Sequence, residues 1–366
     1  MLNLEKITND GFSLENRDNI KNLAHLSLNI ALRAYFATFK NMKYSLHLFE
    51  GKSSTDQATI DYNHFLSYCE SCFKTIIHFQ HFIELIIKDL LRKEHILLAD
   101  TSPQKHVVLF KLLKKKKLTQ EELAGVKSIE FSEALERILE LIKNKKMKNK
   151  RLKFITEAKA VLDKLNLLRN RLWHKGTFIL RYPALDQFTG NFILPLMINV
   201  LKLPEYKNIH WTYNSLKCGI NPVKEIVNEF KNGKYNLGKI AFLKELGRAA
   251  YENPLFDYPF GSHFNDIYTK RAERAAESDE PNVSEVKSCP VCGVKSLVLY
   301  EDVDCDDDET TGKHYYWRYS YEVKCMCCSF EVNNHLKNPS DYGLPIEDYW
   351  YVQDMTKKNS KHEQRR

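Results

Sequence analysis

The sequence predicts a mainly α-helical chain of 366 residues that closes on a small β module. Three observations predict it. Apolar residues recur at helical spacing through most of the first two hundred positions. One stretch, FQHFIELIIKDLL (79–91), is apolar nearly all round, as a central buried helix is. After SDEPNVS, near residue 280, the pattern changes to short β-like runs bracketed by two Cys-x2-Cys pairs.

Taken in order, residues 14–39 carry the first helical spacing. The break GKSST (51–55) precedes a long pattern from about 56 to 96 that contains the buried stretch. Shorter patterns follow at HVVLFKLL (106–113), TQEELAGV (119–126) and FSEALERILELI (131–142). FITEAKAVLDKLNLLRNRLWHKG (154–176) comes next, with Gly176 a natural C-terminal stop. DQFTGNFILPLMINVLK (186–202) closes the helical bundle, with Pro195 expected as a kink. Pro and Gly recur over the next segment, where helices are expected at 237–252 and 262–278. The domain reading is a helical N-terminal segment (1–54), a helical bundle (55–205), a helical and irregular middle (206–282), the β module (283–335) and a tail (336–366).

Composition narrows the class. At 43% hydrophobic and 28% charged residues the chain is an ordinary globular one. The N-terminus MLNLEKITNDGFSLENRDN has charges where a signal peptide needs an apolar region. No apolar stretch approaches the roughly 18 residues of a spanning helix. A soluble, cytoplasmic protein with no membrane partner is therefore expected, and in that setting nine cysteines point to metal binding rather than disulfides.

The net charge of +8 is unevenly spread: residues 101–176 hold 20 Lys/Arg against 8 Asp/Glu, which leaves the remainder negative. The runs KLLKKKK (111–117) and KNKKMKNKRLK (143–153) make this patch. Solvated helix ends are one account of such runs; a polyanion partner is the other.

The cysteine pairs carry the strongest local signal. Cys289/Cys292 in CPVCG and Cys325/Cys328 in CMCCSF each let one tight turn aim two thiolates at a tetrahedral Zn2+. The strand-like runs SLVLYEDV (296–303) and HYYWRYSYEVK (314–324) lie between them. Together they resemble a zinc ribbon over about 286–332, and with no open coordination position the zinc would be structural. Cys305 and Cys327 look like spares, though Cys327 could replace Cys328 in an unusual turn. Strand alternation expects Tyr315, Trp317, Tyr319 and Tyr321 on one face, able to stack bases or to pack on a neighbour. The acidic tip EDVDCDDDE (301–309) would repel a phosphate backbone and lacks the glycine of a calcium loop. Cys69 and Cys72, mid-helix, read as core.

RNRLWHKG (169–176) places Arg169, Asn170, Arg171 and His174 at the end of an apolar helix, about sixteen residues after a lysine run. With fourteen arginines and thirteen histidines in the chain, one Arg-x4-His spacing is near chance, so context must carry it. The buried helix adds Glu84 and Lys88 as Glu-x3-Lys. In this pairing the sequence resembles the HEPN superfamily of small helical bundles, many of them ribonucleases, over about residues 55–205. Its members show an Arg-polar-x3-His signature and an earlier Glu-x3-Lys element.

The resemblance implies a HEPN-like bundle with additional helices, a homodimer with a composite site, and catalytic roles for Arg169, Asn170, His174, Glu84 and Lys88. It also implies action as a toxin or antiviral defence effector. Several HEPN toxins carry a tyrosine two residues after the histidine, which partner nucleotidyltransferases modify. Gly176 stands there, so neutralisation by that route is not expected.

The chemistry can be argued without the family. RNA supplies its own nucleophile, the 2′-hydroxyl, and cleavage then needs proton transfer and charge stabilisation. Histidine moves protons near neutrality, with an unperturbed pKa of ~6.5. A guanidinium holds phosphate. In an ideal helix, however, residues five apart point roughly 140° from each other. The site therefore requires a helix break near Trp173 or two facing copies. The expectation is a metal-independent endoribonuclease, with RNA held by Lys114, Lys115, Lys116, Lys117, Lys145, Lys146, Lys148, Lys150, Arg151 and Arg171. The alternatives are a non-catalytic nucleic-acid-binding module and an adaptor protein.

Overall fold

The computed structural model describes residues 23–49, 56–119, 121–122, 125–147, 149–176, 178–207, 216–233, 235–257, 262–277, 282–308 and 313–355. They are mostly helical, with one five-stranded antiparallel sheet toward the C-terminus, as the composition and patterning predict. The helices run α1 (Leu23–Met42), α2 (Gln57–Tyr62), α3 (Leu66–Glu94), α4 (His106–Leu113), α5 (Phe131–Lys143), α6 (Asn149–Glu157), α7 (Lys159–Asn170), α8 (Tyr182–Phe188), α9 (Leu194–Leu201), α10 (Pro222–Lys231), α11 (Leu237–Tyr251), α12 (Pro254–Asp257) and α13 (Ser262–Ala276). No described helix is long and apolar enough to cross a membrane.

The described residues form two units: one drawn from 1–34, 70–180 and 191–211, the other from 35–69, 181–190 and 212–366. In the first, α3 is the central helix expected of its all-round apolar stretch. It buries Ile76, Phe79, Phe82, Ile83, Ile86, Ile87 and Leu90, while α5 buries Leu135 and Ile138 and α7 buries Leu162 and Leu165. Polar ties reinforce this core. Arg92 donates to Asp100 at 2.8 Å, and Tyr206 donates to Asp89 at 2.5 Å.

Two of the expected long helices are divided. Ala158 separates α6 from α7, and a π-helical turn, Thr189–Ile193, joins α8 to α9. The second break has a reason in Pro195, which has no N–H to donate into the preceding turn, so the chain widens just before it. Gly190 lies in that widened turn. A Cβ there would fall 2.1 Å from ring atoms of Phe230. Gly190→Ala should therefore cost about 1–3 kcal/mol, as overpacking does, read as a lowered midpoint in denaturant unfolding.

In the second unit the strands are β1 (Val283–Ser288), β2 (Lys295–Asp308), β3 (Lys313–Cys325), β4 (Glu331–Asn333) and β5 (Val352–Asp354). Their order is β1-β2-β3-β4, and β5 pairs with β3. The β2–β3 hairpin runs from Leu297↔Cys325 to Asp308↔Lys313. A register shift opposite Tyr300/Glu301 leaves Tyr321 unpaired and reverses the alternation. Ser320 on one side of it and Val323 and Cys325 on the other are all buried. Tyr315, Trp317 and Tyr319 therefore lie on the face opposite Val323 and Cys325, and the expected run of four aromatics on one face ends at the bulge. Residues 336–355 return to this sheet. Asn338 accepts from the Tyr349 and Trp350 amides at 2.9 and 2.7 Å, which leads the chain into β5.

Candidate functional site

The RNRLWHK segment does break the helix. After α7, residues Arg171–Lys175 form a π turn, closed by a hydrogen bond from the Gly176 amide to the Arg171 carbonyl at 3.2 Å. Gly176 adopts φ 65°, a left-handed conformation that a residue with a Cβ enters at a cost. A wider turn, bonded between residues five apart, brings position 174 round toward position 169.

Arg169 is half-buried, donates to Asn170 Oδ1 at 2.9 Å, and lies 5.8 Å from the centroid of the Trp173 ring. Trp173 in turn stacks on Phe73 of α3, with centroids 6.1 Å apart and an interplanar angle of 22°. Exposed Arg171 stands 5.4 Å from the Phe178 ring centroid. His174 is exposed and makes no hydrogen bond or ion pair among the described residues.

Glu84 and Lys88 form an ion pair at 2.6 Å in which the lysine is buried. The other carboxylate oxygen of Glu84 accepts from Gln80 Nε2 at 3.0 Å. Phe73, Gln80, Glu84 and Lys88 share one stripe of α3.

The stripe also holds His81, which the sequence reading did not select. Its Nδ1 lies 2.7 Å from Ser27 Oγ on α1. Burial lowers its pKa; Glu84 opposes that, while Lys88 and Arg169 add to it. Arg169 therefore acts on the same imidazole as the Glu84–Lys88 pair. Nearby His78 is also lowered by burial and by His81, and its buried Nδ1 has no partner. A legible signal existed: polar residues at 80, 81, 84 and 88 fall on one side of the stretch 79–91, which is otherwise apolar except at Asp89.

The basic runs prove to be helix ends. Lys115 (φ 52°) and Lys145 (φ 56°) take the left-handed position that follows a helix. The Lys116 and Lys146 amides donate back to the Lys111 and Leu141 carbonyls at 2.8 and 2.9 Å. Lysines there complement the negative end of the helix dipole. Lys114, Lys115, Lys116, Lys117, Lys145 and Lys146 are exposed, whereas Arg151 is paired with Glu205. Lys148 and the side chain of Lys150 lie outside the described residues. Lys115, Lys116 and Lys117 line a cleft of about 440 Å3 together with Arg92, Lys93 and His95.

In the second unit, Cys289, Cys292, Cys325 and Cys328 bring their sulfurs within 4.8 Å of one another and could hold a metal ion. The closest approaches are 3.5 Å for Cys289–Cys328 and 3.7 Å for Cys292–Cys325. The two turns are near copies. The Val291 amide donates to Cys289 Sγ and the Cys327 amide to Cys325 Sγ, each at 3.4 Å. Gly293 (φ 78°) and Ser329 (φ 58°) take the left-handed position after each pair. These amides stabilise sulfur that carries negative charge, which fits a cation held by thiolates. Burial pushes the Cys289 and Cys328 thiols up, while hydrogen bonds from the neighbouring cysteines hold Cys292 and Cys325 down. Cys327 stays outside the cluster and Cys328 inside it. Cys305 instead joins Asp307 and His314 in an exposed group at the far end of the hairpin.

No family model, curated protein or solved structure matches this chain.

Proposed function

We propose that the chain is a metal-independent endoribonuclease with a HEPN-like catalytic bundle. The observation that carries this reading is the π turn at RNRLWHK, which turns position 174 toward the side of Arg169, whose charge acts on His81 in the Glu84–Lys88 stripe. In the reaction, the RNA 2′-oxygen bonds to the adjacent phosphorus as the bond to the 5′-oxygen breaks. The products are a 2′,3′-cyclic phosphate and a 5′-hydroxyl. Arg169 stabilises charge on the phosphoryl oxygens, His174 transfers a proton, and Asn170 orients the arginine that it binds. Glu84 and Lys88 support the stripe.

The exposed lysines at 114–117, 145 and 146, with Arg171, hold the backbone and make binding salt-dependent. Two copies facing each other would pool their RNRLWHK turns. The four cysteines, all donors accounted for, suit tetrahedral structural zinc. A toxin or defence role in the cytoplasm rests on the HEPN resemblance alone.

The test is total cellular RNA incubated in EDTA with wild type, Arg169→Ala and His174→Ala. Wild type should yield fragments ending in 2′,3′-cyclic phosphate, and each variant should lose roughly 10²–10⁴-fold in rate. One observation favours a non-catalytic nucleic-acid-binding protein or adaptor: His174 engages no protein group. That reading wins if wild type leaves RNA intact and His174→Ala binds it as wild type does.

A further inference from the structure

Cleavage by 2′-hydroxyl attack needs two proton transfers, one away from the nucleophile and one to the leaving oxygen, and RNRLWHK contains a single histidine. Among the described residues, the groups around His81 supply what a second transfer requires. A proton acceptor must be neutral when substrate arrives and held in one orientation. Ser27, on α1 and only 3% exposed, fixes the ring through the 2.7 Å contact at Nδ1. The charged and titratable groups that act on the imidazole are Glu84, Lys88 and His78 from its own helix and Arg169 from α7. Glu84 is the one acid among them, and its two oxygens are already engaged by Lys88 and Gln80. Its charge favours the imidazolium, but the net shift is downward, with burial the largest cause. Burial and the two cations favour the neutral ring. His81 Nε2 has no protein partner among the described residues. His174, exposed and unpartnered, sits in a different environment, and two titratable groups in contrasting environments are how acid and base roles divide.

We infer that His81 accepts the proton of the attacking 2′-hydroxyl while His174 delivers one to the departing 5′-oxygen, an assignment that rests on the ribonuclease reading above. Nδ1–H donates to Ser27 Oγ, and the Nε2 lone pair takes the 2′ proton as the 2′-oxygen bonds to phosphorus. The bond to the 5′-oxygen breaks, and that oxygen takes the proton of the His174 imidazolium. Exchange with water returns both rings to their starting states.

The test uses the full chain and two RNA substrates, one ordinary and one with sulfur in place of the bridging 5′-oxygen. A thiolate leaves without protonation, so the sulfur substrate needs a base but no acid. His174→Ala should lose roughly 10²–10⁴-fold on ordinary RNA and regain most of it on the sulfur substrate. His81→Gln should lose a comparable factor on both. His81→Gln cutting both substrates as wild type does, or recovering on sulfur, overturns the inference and leaves the ribonuclease reading standing. Wild type cutting neither substrate removes both.

Should His81→Gln fail to match wild type in its near-ultraviolet circular dichroism, Ser27→Ala decides. With the ring released, the acidic limb of the kcat/KM pH profile should move. An unmoved limb overturns the assignment.

Discussion

Stripping metal from the four-cysteine cluster should unfold the sheet and lower the stability of the helices that share its unit. Cys325→Ser should do the same. Without a cation, the four thiols meet only through weak contacts at 3.5–3.7 Å, and the start of the β2–β3 pairing, with the Met326 amide donating to the Ser296 carbonyl at 2.9 Å, is left to hold the two turns together. For structural zinc sites in small modules, the apparent binding free energy is roughly 10–16 kcal/mol, and it is folding free energy.

The damage should travel because the second turn is clamped to α11. Arg248, 2% exposed, donates to the Ser329 carbonyl and, at 3.2 Å, to its hydroxyl. Glu245 accepts from the Glu331 amide at 2.7 Å. Glu331 is in turn paired with Lys43 at the end of α1. Losing the turn leaves Arg248 and Glu245 buried beside a moving backbone. Elemental analysis of purified protein should find one zinc per chain, and thermal unfolding should shift downward on chelation. Protein that contains no metal and melts identically with or without chelator would remove the metal centre.

The second large effect is expected at Lys244. Its ammonium and the Asp186 carboxylate, both wholly buried, pair at 2.7 Å. The ammonium also lies 3.8 Å from the centroid of the Tyr182 ring and 4.9 Å from that of Tyr35. Burial pushes the Asp186 carboxyl up against the pull of Lys244 and of the Tyr35 and Tyr235 hydroxyls. Removing one partner strands the other charge in the interior. Lys244→Met should therefore cost about 3–5 kcal/mol, and Lys244→Met combined with Asp186→Leu much less, because apolar replacement of a whole buried pair is often neutral. Denaturant unfolding of the two variants measures this. Equal losses in both would show that packing around the aromatic rings, rather than the stranded charge, sets the cost.

The pair also shows where pattern reading fails. Lys244 sits in LGKIAFLKELGRAAYE as an ordinary polar position of an amphipathic helix, yet α11 is buried through Lys244, Glu245 and Arg248 alike. The partner of Lys244 lies 58 positions upstream in α8. Nothing local in the sequence announces a lysine whose counter-ion and aromatic cage come from two distant segments, α8 and α1. The same limit hid His81. Its neighbours on α3 were legible at i+3 and i+7, but Ser27 and Arg169 reach it only through helix packing.

Several local readings match the structure. The helix at 106–113 matches its pattern residue for residue, and the Cys-x2-Cys spacings picked out the four sulfurs that converge. The angle between Arg169 and His174 called for either a helix break near Trp173 or two facing copies, and the chain turns π-helical over Arg171–Lys175.

By itself, then, the sequence determined the helical class, the β module and its four converging cysteines, and the residues of the RNRLWHK turn. Periodicity, turn chemistry and ligand spacing act over a few residues and are written in consecutive letters. Tertiary structure alone decided that a bulge at Tyr321 divides the aromatic face, that Ser27 and Arg169 reach half-buried His81, and that Lys244 is buried against Asp186. Burial and long-range pairing set those outcomes. Both depend on which distant segments pack together, a property that no window of sequence contains.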